Sequence, residues 1–305
     1  MISSGFISNV RSRIRLLFRN VNLSYLRWRH GVDYYRDGVD ILSADWDNLL
    51  LMDACRYDMF VDQVDLPGTL SKKKSRGSMT AQFLSGNFDG RDATDVVYVT
   101  ANPMYRRIEQ DHDFRFHAVV DAWHDWDEEN STVLPETVVS EARRARRKYP
   151  DKRLLVHFLQ PHFPFIDSET EFDKQIPDPK EDDDPQFWEQ LRTGELSLTP
   201  EKVWKPYNQN LKLLVPTLET LVQELDGKTI VTSDHGNMVG DRSRPIPVSD
   251  WGHPRGLYTP ELIDVPWLVC DAGERREVVA ESPETDEEID SETVRNRLHN
   301  LGYAE

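Results

Sequence analysis

The chain has 305 residues, a formal net charge of −17 and 26 Arg against 11 Lys. An acid excess of that size repels phosphate backbones, so nucleic acid is set aside as a partner. The same excess suits a chain kept soluble at high salt, where screening removes much of the self-repulsion, and a halophilic source is the expectation.

Length and the lack of tandem similarity favour one large α/β domain with a small appendage. The appendage is residues 1–40 and the domain residues 41–305. Residues 1–30 carry six Arg and no acid, with Ile7, Val10, Ile14, Leu16, Leu17 and Phe18 between them, which predicts a basic amphipathic helix. Such a helix is either a foot on an anionic membrane surface or acidic partner, or a cover packed on the acidic body. No apolar run here is long enough for a signal-peptide core or a membrane span, so the expected location is the cytoplasm, with peripheral membrane contact through residues 1–30 left open.

Asn48-Leu49-Leu50-Leu51-Met52-Asp53 reads as a buried strand ending in a carboxylate, with Arg56 shortly after as an anion clamp. The basic run Lys72-Lys73-Lys74 precedes Gly77-Ser78-Met79-Thr80-Ala81, where hydroxyl residues open a helical segment and suit an oxyanion. Strands are predicted at 95–100 and 116–120, a helix from Pro135 to Tyr149, and a strand at 152–159 that runs into Pro161-His162-Phe163-Pro164. Residues 167–199 are acidic and poor in periodicity, a surface insertion in the position of a lid. Pro200 opens a long helix to about Leu225, with a kink expected at Pro216. Cys55 and Cys270, the two cysteines, read as small buried residues.

That helix feeds Thr229-Ile230-Val231-Thr232-Ser233-Asp234-His235-Gly236. Three β-branched residues lead to a carboxylate and an imidazole at a strand's carboxyl edge, where open α/β sheets hold ligands. A Pro-, Ser- and Arg-rich loop follows to Asp250, then Gly252-His253 and a Val-Pro strand at 265–270. An acidic tail from Glu281 to Glu292, expected to move freely, precedes a closing helix with a Gly stop at Gly302-Tyr303.

The order strand-Asp53, hydroxyl at a helix start, Pro-His162-Phe-Pro, strand-Ser-Asp234-His235-Gly, Gly-His253 resembles the alkaline phosphatase superfamily. Within it, the sulfatase-like and phosphoethanolamine or glycerol-phosphate transferase branch is the nearest. The resemblance covers most of residues 45–303 and implies a mixed, mostly parallel central sheet sandwiched by helices. It implies a metal held by Asp53, Asp234, His235 and the nucleophile oxygen. Thr80 matches the nucleophile through Gly-x-x-Thr-Ala, with Ser78 in another alignment of the same segment. His162, His253 and Arg56 take the anion-binding places. No Cys-x-Pro-Ser-Arg segment occurs, which disfavours a formylglycine sulfatase. One metal is expected, a hard Mn²⁺, Mg²⁺ or Ca²⁺ ahead of Zn²⁺, from three O ligands and one N. The implied activity is a metal-dependent hydrolase or transferase of phosphate esters, small or glycan- or lipid-linked. A catalytically silent relative serving as a binding or assembly module is the alternative.

Overall fold

The computed structural model describes residues 4–166, 187–284 and 290–303. Helix α1 (Ser4–His30) leads to strand β1 (Asn48–Asp53), helix α2 (Tyr57–Gln63), β2 (Thr69–Lys74), α3 (Thr80–Phe88), β3 (Arg91–Thr100) and α4 (Met104–Ile108). Then come β4 (Phe114–Asp121), α5 (Pro135–Lys148), β5 (Arg153–Pro161), α6 (Phe187–Thr193), α7 (Pro200–Glu224) and β6 (Gly227–Ser233). The chain closes with β7 (Met238–Ser243), β8 (Val248–Gly252), α8 (Pro260–Ile263), β9 (Asp264–Ala272) and α9 (Ser291–Asn300).

Seven strands form one sheet in the order β2-β9-β6-β1-β5-β3-β4, and only β9 runs against the rest. This is the mixed, mostly parallel α/β sheet that was expected. All six residues of β1 are buried, as a strand with helices on both faces requires. Leu49, Leu50 and Leu51 are wholly inaccessible, each contributing about 1.5–3 kcal/mol relative to exposure. The amphipathic α7 covers β5 with Leu211, Leu214, Leu218 and Leu221, all buried, and runs on through Pro206 and Pro216.

The structure bears on four further parts of the chain. Lys72 to Lys74 belong to edge strand β2, where exposed lysines blunt an open edge; the strand escapes a hydrophobic pattern because almost nothing on it is buried. The loop after Gly236 is the hairpin β7–β8, a two-stranded sheet of its own. The acidic tail is tied down as far as it is described: Glu281 meets the buried Lys152 at 2.5 Å and Glu284 meets Lys148 at 2.9 Å. Most of the acidic insertion, with its lid reading, falls at 167–186, outside the described residues. Its end is α6, which buries Phe187, Trp188 and Leu191.

Helix α1 is packed on the body along one stripe. Arg19, 3% exposed, donates to the Ser249 carbonyl at 2.7 Å and lies 3.4 Å from Asp250. Asn22 is buried and donates to Ser243 Oγ at 2.9 Å and the Ile246 carbonyl at 2.7 Å, and Leu26 joins a small core with Met238, Leu257 and Leu262.

Candidate functional site

The carboxyl ends of β1, β3, β5 and β6 lie side by side, so residues just beyond them converge. Asp53 ends β1 and Asp234 follows β6, with Asp234 N–H donating to the Met52 carbonyl at 3.2 Å. Ala54 then takes a left-handed backbone, φ 61°, which costs a non-glycine residue about 1–2 kcal/mol. The turn aims its N–H at Asp234 Oδ1, 3.0 Å away, and the His235 N–H reaches the same oxygen at 2.7 Å. With Oδ1 held by two backbone donors, Oδ2 faces the other way.

Around Oδ2 the remaining groups gather. Thr80, the first residue of α3, donates its hydroxyl to Asp234 Oδ2 at 2.8 Å. His235 Nε2 lies 3.4 Å from that oxygen, 3.4 Å from Thr80 Oγ1 and 3.6 Å from Asp53 Oδ1. His235 Nδ1 is 2.7 Å from the Gly236 carbonyl, which can only accept, so the ring proton sits on Nδ1 and Nε2 presents a bare lone pair. An imidazole nitrogen, two facing carboxylates and a hydroxyl oxygen at such spacings make a donor set that fits a divalent metal. Asp53, Asp234, His235 and Thr80 are fully buried. Burial and then the facing Asp234 push Asp53 well above the usual carboxylate range.

Three groups at this edge were not singled out from sequence. His157, inside β5, has no hydrogen-bond partner for Nε2 among the described residues, and that atom lies 3.8 Å from Asp234 Oδ2. Asp53, His157 and Asp234 each offer an atom within 4.8 Å of the others, a group that could hold a metal ion. A second imidazole thus faces the carboxylates of the expected set of three oxygens and one nitrogen. Asn102, beyond β3, donates to Asp53 Oδ2 at 2.6 Å, and Tyr303 places its hydroxyl 3.1 Å from Thr80 Oγ1. Asn102 sits at a readable strand end. His157 is hidden in an apolar run, and Tyr303 is too distant in sequence for any local signal.

His162 and His253 border the cluster. Their rings are 4.9 Å apart, His253 lies 4.8 Å from His235, and Tyr303 stacks on His162 at 5.3 Å. His162 spends its Nδ1 proton on the Phe163 carbonyl at 2.5 Å, leaving Nε2 without a partner among the described residues. Burial holds His162 down to about 4, and burial followed by His235 holds His253 well below its ordinary value, so both rings are neutral near pH 7.

Two predicted site residues lie elsewhere in the network. Ser78 donates to Gln82 Oε1 at 2.9 Å and accepts from the Gly256 N–H at 2.8 Å, fastening the loop that carries His253. Arg56, expected as an anion clamp, already has its charge taken: Asp58 at 2.6 Å, Asp241 at 2.8 Å, and the Trp204 ring 4.7 Å away. Its stem packs beneath Gly236, where any Cβ would strike the Glu261 carbonyl and the Arg56 side chain. Arg56 thus braces the Asp-His-Gly turn.

No family model matches the chain, and no curated protein does. Among solved structures it is similar to the soluble domain of lipooligosaccharide phosphoethanolamine transferase A from Neisseria meningitidis: 13% identity, TM-score 0.46, 75% of this chain and 78% of that one. It is also similar to the C-terminal periplasmic domain of EcEptC from Escherichia coli in complex with zinc, at 11% identity and TM-score 0.41 over 77% of this chain and 75% of that one. A third is the C-terminal periplasmic domain of phosphoethanolamine transferase EptC from Campylobacter jejuni, at 12%, TM-score 0.39, 74% of this chain and 79% of that one. The expected cytoplasmic location is withdrawn, since the structures from E. coli and C. jejuni are periplasmic domains. Among the described residues no helix is long and apolar enough to cross a membrane, which assigns no compartment.

Proposed function

We propose that the chain is a metal-dependent phosphoester transferase or hydrolase in which Thr80 is the nucleophile. The observation that carries this reading is the bare Nε2 of His235, 3.4–3.6 Å from oxygens of Asp53, Asp234 and Thr80 in a fully buried setting. Asp53, Asp234, His235 and the Thr80 oxygen, with His157 facing the same carboxylates, would hold a divalent cation, which would lower the hydroxyl pKa and neutralise charge on a phosphoryl oxygen. Carboxylates joined by one or two imidazoles suit Mn²⁺ or Zn²⁺ at least as well as Mg²⁺ or Ca²⁺.

The chain's own groups divide the rest. Asp234 Oδ2 orients the Thr80 hydroxyl along the 2.8 Å hydrogen bond; the Thr80 proton passes to water, the Thr80 oxygen bonds to phosphorus as the P–O bond to the leaving group breaks, and the departing alkoxide takes a proton from water, giving an alcohol and a phosphothreonine. Asn102 and Tyr303 hold Asp53 and the nucleophile in place. Burial, with the charges of Asp53 and Asp234, keeps the Tyr303 phenol protonated as a donor. His253 borders the side on which the phosphoryl group would lie. With Nδ1–H committed to Phe163, neutral His162 presents Nε2 as an acceptor, suited to taking the proton of the incoming hydroxyl in the second half-reaction. Water as that acceptor makes a hydrolase; a sugar or lipid hydroxyl makes a transferase.

The test is turnover of a chromogenic phosphodiester, phosphomonoester and sulfate ester with Mn²⁺, Zn²⁺, Mg²⁺ and Ca²⁺, for wild type, Thr80→Ala, Ser78→Ala and Asp234→Ala. Phosphodiester turnover that Thr80→Ala abolishes and Ser78→Ala spares supports the proposal. Turnover no higher than the Asp234→Ala control for every ester and metal gives the chain to the silent-relative reading.

A further inference from the structure

Helix α1 has two faces, and the body uses one of them. Arg19, Asn22 and Leu26, spaced by three and four residues, point inward. Ile14, Leu17, Phe18, Val21, Tyr25 and Trp28 follow the same spacing on the other side and are all exposed; Trp28 is 81% exposed and Leu17 61%. A surface helix with one buried stripe normally turns polar residues outward. Here the outward stripe is apolar, and Arg13, Arg15 and Arg29, all exposed, flank it.

We propose that this outer face lies on an anionic lipid surface, independently of the chemistry at Thr80. An apolar stripe edged by arginines matches the boundary between acyl chains and charged headgroups. The first acid in the chain is Asp33, beyond the helix, whereas the whole chain carries −17, so an anionic leaflet favours this acid-free element over the net acidic body. That difference fixes an orientation. Tyr25 and Trp28, with ring centroids 6.3 Å apart, offer amphipathic rings of the kind enriched at the membrane–water interface. A second copy is a poorer occupant, because pairing two such faces brings like-charged arginine rims and acidic bodies together.

Cosedimentation of the full chain with phosphatidylcholine vesicles containing a rising fraction of phosphatidylglycerol, at one fixed salt concentration, tests this without altering folding conditions. Wild type binds with a steep dependence on phosphatidylglycerol and little to phosphatidylcholine alone. Leu17→Glu and Trp28→Glu each weaken binding by about tenfold or more. Arg13→Gln and Arg29→Gln each weaken it by about fivefold. All four positions are exposed, so circular dichroism should match wild type. Absence of binding at every lipid composition, or binding indifferent to Leu17 and Trp28, overturns the proposal. So does a wild-type dimer that Trp28→Glu converts to monomer in lipid-free solution, which would make the occupant a second copy.

Discussion

Strand β1 begins one residue after Asp47 and ends at Asp53; both carboxylates are fully buried, and their surroundings are opposite. At the amino end Asp47 Oδ2 has its partners within the protein, whereas its Oδ1 has none among the described residues. The Lys228 N–H donates to it at 2.7 Å and Arg275 forms an ion pair with it. Nearby Arg153 pairs with Asp95 at 2.7 Å and Arg276 donates to Asn48 Oδ1 at 2.8 Å. At the carboxyl end Asp53 faces Asp234, with Asn102, Tyr303 and imidazoles as company and no Arg or Lys among its bonded partners in the described residues. A buried charge is retained when something pairs with it. One end carries its own cations, and at the other the proposed function places a cation from outside.

The comparison breaks most visibly through activity. Asp234→Ala and Thr80→Ala are expected to lower kcat/KM by about 10³-fold or more with the fold retained, while Ser78→Ala, which loosens the loop bearing His253, costs about tenfold or less. Single-turnover assays with circular dichroism as a folding control separate the two classes.

Stability sharpens it next. Saturating divalent metal at about 100 times its Kd should add about 2.7 kcal/mol, read as a Tm rise that chelator reverses. Asp53→Asn should abolish that rise and yet stabilise the metal-free protein by about 1 kcal/mol or more, because it removes one of two facing buried carboxylates. Asp47→Asn at the other end should destabilise by about 1–3 kcal/mol whether or not metal is present. Opposite signs for these two changes on one strand are the signature expected.

Much of this edge is legible in the sequence because strand ends are. Asp53, Asp234 and His235 each close an apolar or β-branched run, and Pro161 and Pro164 mark His162 as leaving its strand. Thr80 and Ser78 are the same kind of residue two positions apart, and only the direction in which α3 begins decides which one meets Asp234. His157 is invisible as a site residue since its neighbours Val156 and Phe158 read as core. Arg56 misleads, for a sequence cannot say whether a guanidinium is free or already held by Asp58 and Asp241. Strand β2 and hairpin β7–β8 are hidden because their lysines, serines and arginines satisfy no alternating pattern, their pairing being settled by neighbours far along the chain.

A smaller effect concerns pH. An unfolded histidine titrates near 6.5, and burial holds His162 to about 4, so between these values the unfolded chain binds more protons and stability falls as pH falls. Thermal melts from pH 7 to pH 4 should show the decline, with His162→Gln flattening part of it. The smallest expected effect is that of Arg56→Gln: a brace should lower Tm by a few degrees and leave KM within about twofold, whereas a substrate clamp would raise KM strongly.

The most direct measurement is anomalous diffraction from crystals grown with Mn²⁺ or Zn²⁺. A single peak bonded to Asp53, Asp234 and His235 at about 2.0–2.2 Å, with Thr80 Oγ1 on its open side, is the predicted result. Ordered side chains at residues 53, 234 and 235 with no peak among them, at saturating metal, would contradict it.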